Sequence, residues 1–418
     1  MVLNSTKERL IFYSIPVILF SLIPFFLITG PFLSDLSVSL ISILFLIYCI
    51  KEKDFSFFRN KFFYFFLIFW IYLVLNSIIN NFNINYFGTS LVYLRYGVFT
   101  IAIVALLNFN KNFIRFFYYC ILICFTALIL DGFYQYFVGV NILGWKSFSR
   151  TSSFFGEEQI LGSYLSRLFP IFFGLSILLF KKNDKIFIYL IIIFILSEAL
   201  IFLSGDRSAF FNINLSAMFI ILLSQKLFKL RLFTLLTSIL ILFIISFINP
   251  TAKERVFDHT INQMNLGNES KEQIYIFSKQ HTHHYISAYK IFLDNKFLGV
   301  GLKNFRNFCD KNKYQISDLS CSTHPHNTYI QILSELGLIG FLFIMVILFI
   351  FFKYILKHLR LRFKRKNYFS DFEICILSGI SIYLWPFVPT GNFFTNWLSI
   401  VMFLNAPFLI WSRQFIKT

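Results

Sequence analysis

Residues 322–352 read "STHPHNTYIQILSELGLIGFLFIMVILFIFF". The second part, 342–352, is uncharged and apolar throughout, a composition suited to hydrocarbon. The first part brings His324, His326, Asn327 and Glu335 to the mouth of the same run. Similar apolar runs of about 17 to 25 residues recur along the chain, the length that crosses roughly 30 Å of hydrocarbon as helix. Of 418 residues, 57% are hydrophobic, 21% aromatic and only 14% charged, where a soluble domain carries about a quarter charged. The chain therefore reads as an all-α polytopic membrane protein.

The runs predict about 12 transmembrane helices, at 10–29, 33–50, 62–80, 89–108, 115–138, 159–180, 186–203, 208–225, 232–249, 327–352, 372–388 and 393–411. Three regions follow: spans one to nine within 1–248, one large outward loop over 249–326, and spans ten to twelve within 327–418. The first segment has no small-residue cleavage site after it, so it reads as a span and not as a removed signal.

The net charge of +18 is topological. With the N-terminus inside, the inward side carries "KER", "KEKDFSFFRNK", "NKNFIR", "KKNDK", "QKLFKLR", "KYILKHLRLRFKRK" and "SRQFIKT", which hold 23 of the 38 Lys and Arg. The short outward loops hold Lys146, Arg150 and Arg207. Such a bias orients both termini to the cytoplasm and gives no reason to expect nucleic acid. Cysteines divide the same way. Cys49, Cys120, Cys124 and Cys375 fall in spans, whereas Cys309 and Cys321 lie in the large outward loop, where an oxidising compartment permits a disulfide.

A loop as long as 249–326 inside a compact protein is usually functional. Within it "YIFSKQHTHHYISAYKIFLDNKF" spaces Ile286, Tyr289, Ile291 and Phe292 for an amphipathic helix, and "LGVGLKNF" turns the chain through two glycines. The outward loop "VGVNILGWKSFSRTSSFFGEEQ" is the other long connection.

Polar residues mark candidate chemistry. Arg95, in "LVYLRYGVF", sits inside a span, either paired with Asp131 or Glu198 or turned towards a ligand; Arg167, in "LGSYLSRLFP", reads as packing. Arg150 precedes the sixth span, and Arg207 follows a "SGD" turn that starts a helix. Free N–H groups at a helix start attract anions, and guanidinium presents a permanent forked donor to phosphate. Pro325 disfavours helix at His324 and suits a first helical turn, so His326 and Asn327 fall at the N-terminus of span ten. The positive helix end keeps the His326 ring neutral, as a general base near pH 7 requires, and Asn327 either orients that ring or caps the helix. Glu335, nine residues on and about 13 Å deeper, reads as the partner of an intramembrane arginine. His281, His283 and His284 form a further cluster, but no Asp or Cys stands at ligand spacing, and no metal is assigned.

In "HPHNTYIQILSELGLIG", "YISAYKIFLDNKFLGVGLKNFR", "RTSSFFGEEQILGSYL" and "SGDRSAF", over roughly 150–340, the chain resembles the O-antigen ligase family. The resemblance implies a glycosyltransferase of the bacterial inner membrane with its site on the periplasmic face. It implies a donor glycan on undecaprenyl pyrophosphate, an acceptor hydroxyl on lipid A-core, and no cofactor or metal. It assigns the base to His326, with His324 and Asn327 beside it, and the pyrophosphate to Arg207 and Arg150. Where many members carry an arginine seven residues before the alanine of the loop helix, this chain has His281. That leaves His281, His284 or Arg255 to supply the contact, or nothing. Arg95 remains a further candidate. A polymerase of the same family, whose acceptor is a second lipid-linked glycan, is the alternative; a lipid-linked oligosaccharide flippase is a more distant one, because the charges concentrate at one face instead of spreading through repeated halves.

Overall fold

The structure, a computed structural model, describes residues 6–80, 84–147, 150–180, 184–225, 228–248, 250–266 and 274–415. Parts of three basic stretches (181–183, 226–227 and 416–418) and the middle of the large loop (267–273) lie outside them. Among the described residues the chain is helical with no β-strand, apart from one isolated bridge between Val140 and Lys146.

Among the described residues eight helices are long and apolar enough to cross a membrane: Lys7–Thr29, Pro31–Glu52, Lys61–Ile79, Tyr86–Phe109, Lys111–Val138, Leu161–Leu179, Arg231–Ile248 and Thr328–Phe363. Two shorter apolar helices, Ile188–Ser204 and Arg207–Leu223, lie where further spans are expected. Leu161–Leu179 is the hub, flanked by Arg207–Leu223, Asp371–Leu384, Asp184–Ser204 and Ile114–Val138. Small residues permit this approach, as in membrane bundles generally. A Cβ on Gly162 would lie 2.8 Å from the Ala209 Cβ, and one on Gly174 2.9 Å from the Cys375 Cβ. By contrast Arg231–Ile248 buries little of its length, as expected of a helix that turns Phe233, Leu236, Leu240 and Phe243 towards lipid.

Several boundaries differ from the sequence expectation. The fourth segment breaks at Tyr93 into Ile84–Val92 and Leu94–Phe109. The tenth extends to Phe363 and is kinked at Gly337 (φ 64, ψ −165). The eleventh, Asp371–Leu384, stops four residues early because Trp385 (ψ 120) precedes Pro386, which holds it extended. Fourteen residues rise only about 21 Å, and the chain from 385 to 395 runs irregularly before Asn396–Phe403 and Asn405–Phe415.

That irregular stretch braces the histidine motif. The Thr390 N–H donates to the His326 carbonyl (2.9 Å), the Asn327 amide to the Pro386 carbonyl (2.8 Å) and the Tyr329 hydroxyl to the Leu384 carbonyl (2.6 Å). Deeper, the Gln331 amide donates to Asn392 (2.9 Å) and to Glu335 (3.0 Å).

A second brace crosses the kink. Residues 296–301 run beside 334–339, with N–H groups donating from Val300 to the Ser334 carbonyl (3.1 Å) and from Gly301 to that of Glu335 (2.8 Å). The Leu338 N–H donates to the Lys296 carbonyl (2.8 Å). From the neighbouring helix Lys61–Ile79, the Asn76 amide donates to the Leu298 carbonyl (2.6 Å) and the Tyr72 hydroxyl to that of Leu336 (2.5 Å). This clamp needs two glycines, because a Cβ on Gly299 would meet the Glu335 carbonyl carbon at 2.4 Å and one on Gly337 the Phe297 carbonyl oxygen at 2.3 Å.

Candidate functional site

The clamp docks the loop helix, Lys279–Asp294, against the start of Thr328–Phe363. Ser278 caps it, accepting from the His281 N–H (3.2 Å). The expected amphipathic helix is present. His284, Ser287, Ala288 and Ile291 are buried, whereas Tyr289 and Leu293 are exposed. Of the apolar residues that flagged the helix, Ile291 is buried, Ile286 and Phe292 are half-buried and Tyr289 is exposed, and His281 and His284 point inward.

His281, His284, His324 and His326 converge. Ring centroids lie 4.1 Å apart for His324 and His326, 5.4 Å for His284 and His326, and 5.5 Å for His281 and His326. His326 therefore stands at the centre. It precedes the helix and its cap: Asn327 is the N-cap, accepting from the Tyr329 and Ile330 N–H groups (3.0 and 3.2 Å), so of the two roles expected of Asn327 the structure shows capping. His326 has φ +56, a left-handed conformation rare for a residue with a side chain and held here by the Thr390 brace. No protein group hydrogen-bonds its half-buried ring among the described residues, and burial lowers its pKa.

The neighbouring rings are committed differently. His324 is engaged at both nitrogens, with Thr323 Oγ1 (2.9 Å) and the Thr390 carbonyl (3.2 Å). Burial, then His326, pushes its pKa down to about 3. His281 bonds Ser278 Oγ through Nδ1 (2.7 Å), and burial, His326, His284 and Arg207 together push it down to about 4. His284 is fully buried with neither nitrogen bonded. Burial and His326 push it to about 4, and the Cys321 main chain opposes this without closing a hydrogen bond of normal geometry. His283 turns away to Ser317 Oγ (2.6 Å). Around neutral pH the cluster is thus a set of uncharged rings. Among the described residues no group of three or more His, Cys, Asp or Glu is arranged to hold a metal.

Cations border the cluster at His281. Arg207 begins its helix after the Asp206 cap and donates to Thr260 Oγ1 (3.0 Å) and Gln263 Oε1 (2.9 Å) of the large loop. Arg150 reaches Asp206 at 3.8 Å, and the Arg255 side chain lies against Gly205. The loop carrying Arg150 is folded onto the end of Ile114–Val138: Asp131 accepts from the Ile142 N–H (2.9 Å), and Gln135 from those of Ser152 and Ser153 (2.9 and 2.7 Å).

Two placements depart from the sequence reading. Arg95 pairs with Asp35 (2.6 Å), not with Asp131 or Glu198; Asp131 holds the loop, and Glu198 bonds Ser238. Glu335 pairs with no arginine; its carboxylate accepts from Gln331 and, at 3.4 Å, from the Phe305 N–H. Arg167 packs, as expected, over the Tyr383 ring at 4.9 Å. Cys309 and Cys321 are joined in a disulfide. Sequence reasoning passed over Thr260, Gln263 and Thr390. For Thr390 the signal existed, since "WPFVPTGN" over 385–392 cannot continue a helix.

The family model described as O-antigen ligase matches residues 188–345. The matched stretch runs through Arg207, the large loop, the disulfide, the histidine motif and the kink, and leaves out Arg150, Arg95 and the 385–395 brace. No curated protein matches the chain.

Proposed function

We propose, from the match of residues 188–345 to the family model described as O-antigen ligase, that the protein transfers a glycan from undecaprenyl pyrophosphate to an acceptor hydroxyl, that of lipid A-core. In this reading the site lies on the periplasmic face of the inner membrane. The observation that carries the reading is His326, an unbonded, half-buried ring at the centre of the cluster, whose pKa burial lowers. His281 beside it stands within the field of Arg207.

His326 takes the proton of the acceptor hydroxyl as its oxygen attacks the anomeric carbon. The bond from that carbon to the pyrophosphate oxygen breaks, and the pyrophosphate leaves with the electron pair. Arg207 and Arg150 meet the charge that grows there, and a fixed cation matched to developing charge is the larger part of such catalysis. Arg207 exchanges its bonds to Thr260 and Gln263 for phosphate oxygens. His281 donates as a neutral ring where an arginine stands in many members. His324 and Asn327 hold the motif in place.

His326→Ala lowers turnover by about 10²- to 10⁴-fold, the typical worth of a positioned base, in purified protein supplied with donor and acceptor lipids. Near wild-type turnover in that variant refutes the assignment; arrest of the wild type by chelator refutes a metal-free reaction. Transfer to lipid A-core separates a ligase from a polymerase, which extends a second lipid-linked glycan.

A further inference from the structure

We propose that the cavity between Lys61–Ile79 and Thr328–Phe363 holds an anionic phospholipid, its phosphate on Lys61, Lys357 and Arg413 and its acyl chains lying between the two helices. The site is at the end of the bundle away from the histidines and takes no part in the transfer chemistry.

The cavity measures about 630 Å³, and the charged and amide side chains that line it are Asn60, Lys61, Arg413 and Gln414. They stand at one end. Lys61–Ile79 and Thr328–Phe363 run antiparallel, because Tyr72, late in the first, bonds Leu336, early in the second. The start of the first helix therefore lies beside the later part of the second, where Tyr354 lines the cavity. Ile332, Leu384 and Phe393 line the opposite end, below the histidine motif. Lys61–Ile79 buries little of its length, and the cavity-lining Ile347 and Ile350 are exposed. The cavity thus opens sideways to the hydrocarbon of a bilayer, from which a lipid enters laterally.

Ring contacts gather the cations at the polar end. Tyr368, which lines the cavity, stacks on Tyr354 at 5.7 Å. Its centroid lies 4.3 Å from Lys357 Nζ and 4.4 Å from Arg413 Cζ. Arg413 Nη1 donates to the Tyr368 carbonyl (2.9 Å) and to Glu373 (3.4 Å), which fixes the direction of the guanidinium. Lys61 and Lys357 form no ion pair among the described residues. A positive rim at the mouth of an apolar slot is complementary to a phosphate on hydrocarbon chains, and selects an anionic headgroup over a zwitterionic one.

The dimensions select a lipid of one leaflet. The two helices touch at Phe343, whose ring centroid is 5.6 Å from that of Phe65 and 5.2 Å from that of Phe69. From this crossing to Tyr354 the helix rises about 16 Å, against ~15 Å for half a hydrocarbon core. A phosphate at Arg413 thus leaves its chains room up to the crossing. A polyprenyl donor whose pyrophosphate sits at Arg207 would enter from the other end.

The test is lipid binding by the delipidated full chain in detergent, counted by native mass spectrometry with phosphatidylglycerol or phosphatidylcholine as the probe. Each Lys or Arg near the headgroup favours the anionic lipid about fivefold, so wild type should prefer phosphatidylglycerol by at least about tenfold. The preference should fall below about threefold in the Lys61→Gln, Lys357→Gln double variant. It should persist in Lys364→Gln, Lys366→Gln, which removes the same charge from exposed residues outside the cavity lining. Ala406→Phe fills the cavity from its wall and should lose tightly bound lipid of both kinds; Ile350→Trp replaces it if that protein does not fold. An intact Cys309–Cys321 disulfide and thermal unfolding near that of wild type show that a variant is folded. No preference in the wild type means annular lipid only and overturns the site. Retention in the Lys61, Lys357 variant, equal loss in the Lys364, Lys366 variant, or full binding in the filled cavity overturns it as well. Displacement of phosphatidylglycerol, one for one, by a polyprenyl-pyrophosphate glycan overturns its choice of occupant.

Discussion

Substituting Gly337 by alanine tests whether the main-chain clamp holds the site together. Gly337 occupies φ 64, ψ −165, a region open essentially to glycine alone, and forcing another residue there costs about 1–3 kcal/mol. The new Cβ would stand 2.3 Å from the Phe297 carbonyl oxygen and 2.6 Å from the Gly299 nitrogen. Both are backbone atoms, so no side chain can swing away to make room. Segment 296–301 must move, and with it go the bonds from Leu338 to Lys296 and from Ile339 to Phe297, each worth about 1 kcal/mol. Together these give a loss of about 3–5 kcal/mol. At the ~2 °C per kcal/mol of large domains, thermal unfolding in detergent should shift down by at least about 5 °C. Turnover should fall further than stability does, since the same segment sets the loop helix against His326, and a misplacement of about 1 Å can cost ~10²-fold. Gly88→Ala is the control: it is helical, a Cβ there meets nothing within 4 Å, and unfolding should be unchanged or slightly later. A Gly337→Ala protein that unfolds within about 1 °C of wild type and keeps its turnover would refute the clamp.

Acid should destabilise the protein through the buried rings. His281, His284 and His324 sit at about 4, 4 and 3 in the folded state against about 6.5 unfolded. The unfolded chain therefore binds protons first, and stability present above pH 6.5 is lost as pH falls from 6.5 towards 4; His284→Gln should flatten that loss in a thermal scan against pH, and an unaltered slope would count against burial as its cause. Arg207→Lys should restore little of the donor-lipid use lost in Arg207→Ala, because an ammonium cannot keep two directed contacts as the fork does with Thr260 and Gln263; full rescue would make Arg207 a simple charge. Cys309→Ser opens a loop of 12 residues' separation, worth about 3 kcal/mol in the chain-entropy account, and peptide mass spectrometry without reductant should find the wild-type pair bonded; two free thiols would end the assignment.

The extent to which the site was legible follows from what kind of force places each residue. Helices and their apolar lengths are local properties, so the segments and the loop helix could be read from spacing alone. The Asn327 cap and the helix start after the "SGD" turn were legible too: Asn327 and Asp206 each satisfy an N–H two or three residues on. What escaped the sequence is set by contacts distant along the chain. Arg95 lies 60 residues from Asp35, and nothing near Arg95 distinguishes that acid from Asp131 or Glu198. Glu335 looked like an ion-pair partner because an acid deep in a span usually needs a cation. Here a glutamine one turn back and an N–H delivered by the 296–305 crossing take that place. The loop helix shows the same limit from its other side. Periodicity located it as an amphipathic helix, but did not show that the face buried in the protein carries His284, Ser287 and Ala288 beside Ile291.

His326 combines both kinds of force. Its neighbour Pro325 and the Asn327 cap are local, and they put the residue just outside the helix. Its left-handed backbone is not local, since histidine alone would avoid φ +56; the Thr390 N–H, 64 residues on, holds the His326 carbonyl. Lys303 adopts the same region under the 334–339 clamp. Both residues are thus held in backbone strain of about 1–2 kcal/mol each that the long-range braces offset. Loosening the Thr390 brace should free His326 to relax to ordinary φ, and with that turn its ring out of the site. The short eleventh helix has its explanation in the same arrangement. Had Asp371–Leu384 continued for the six or so residues needed to span ~30 Å, Thr390 would lie inside a helix with its N–H bonded four residues back. No donor would then be left for His326.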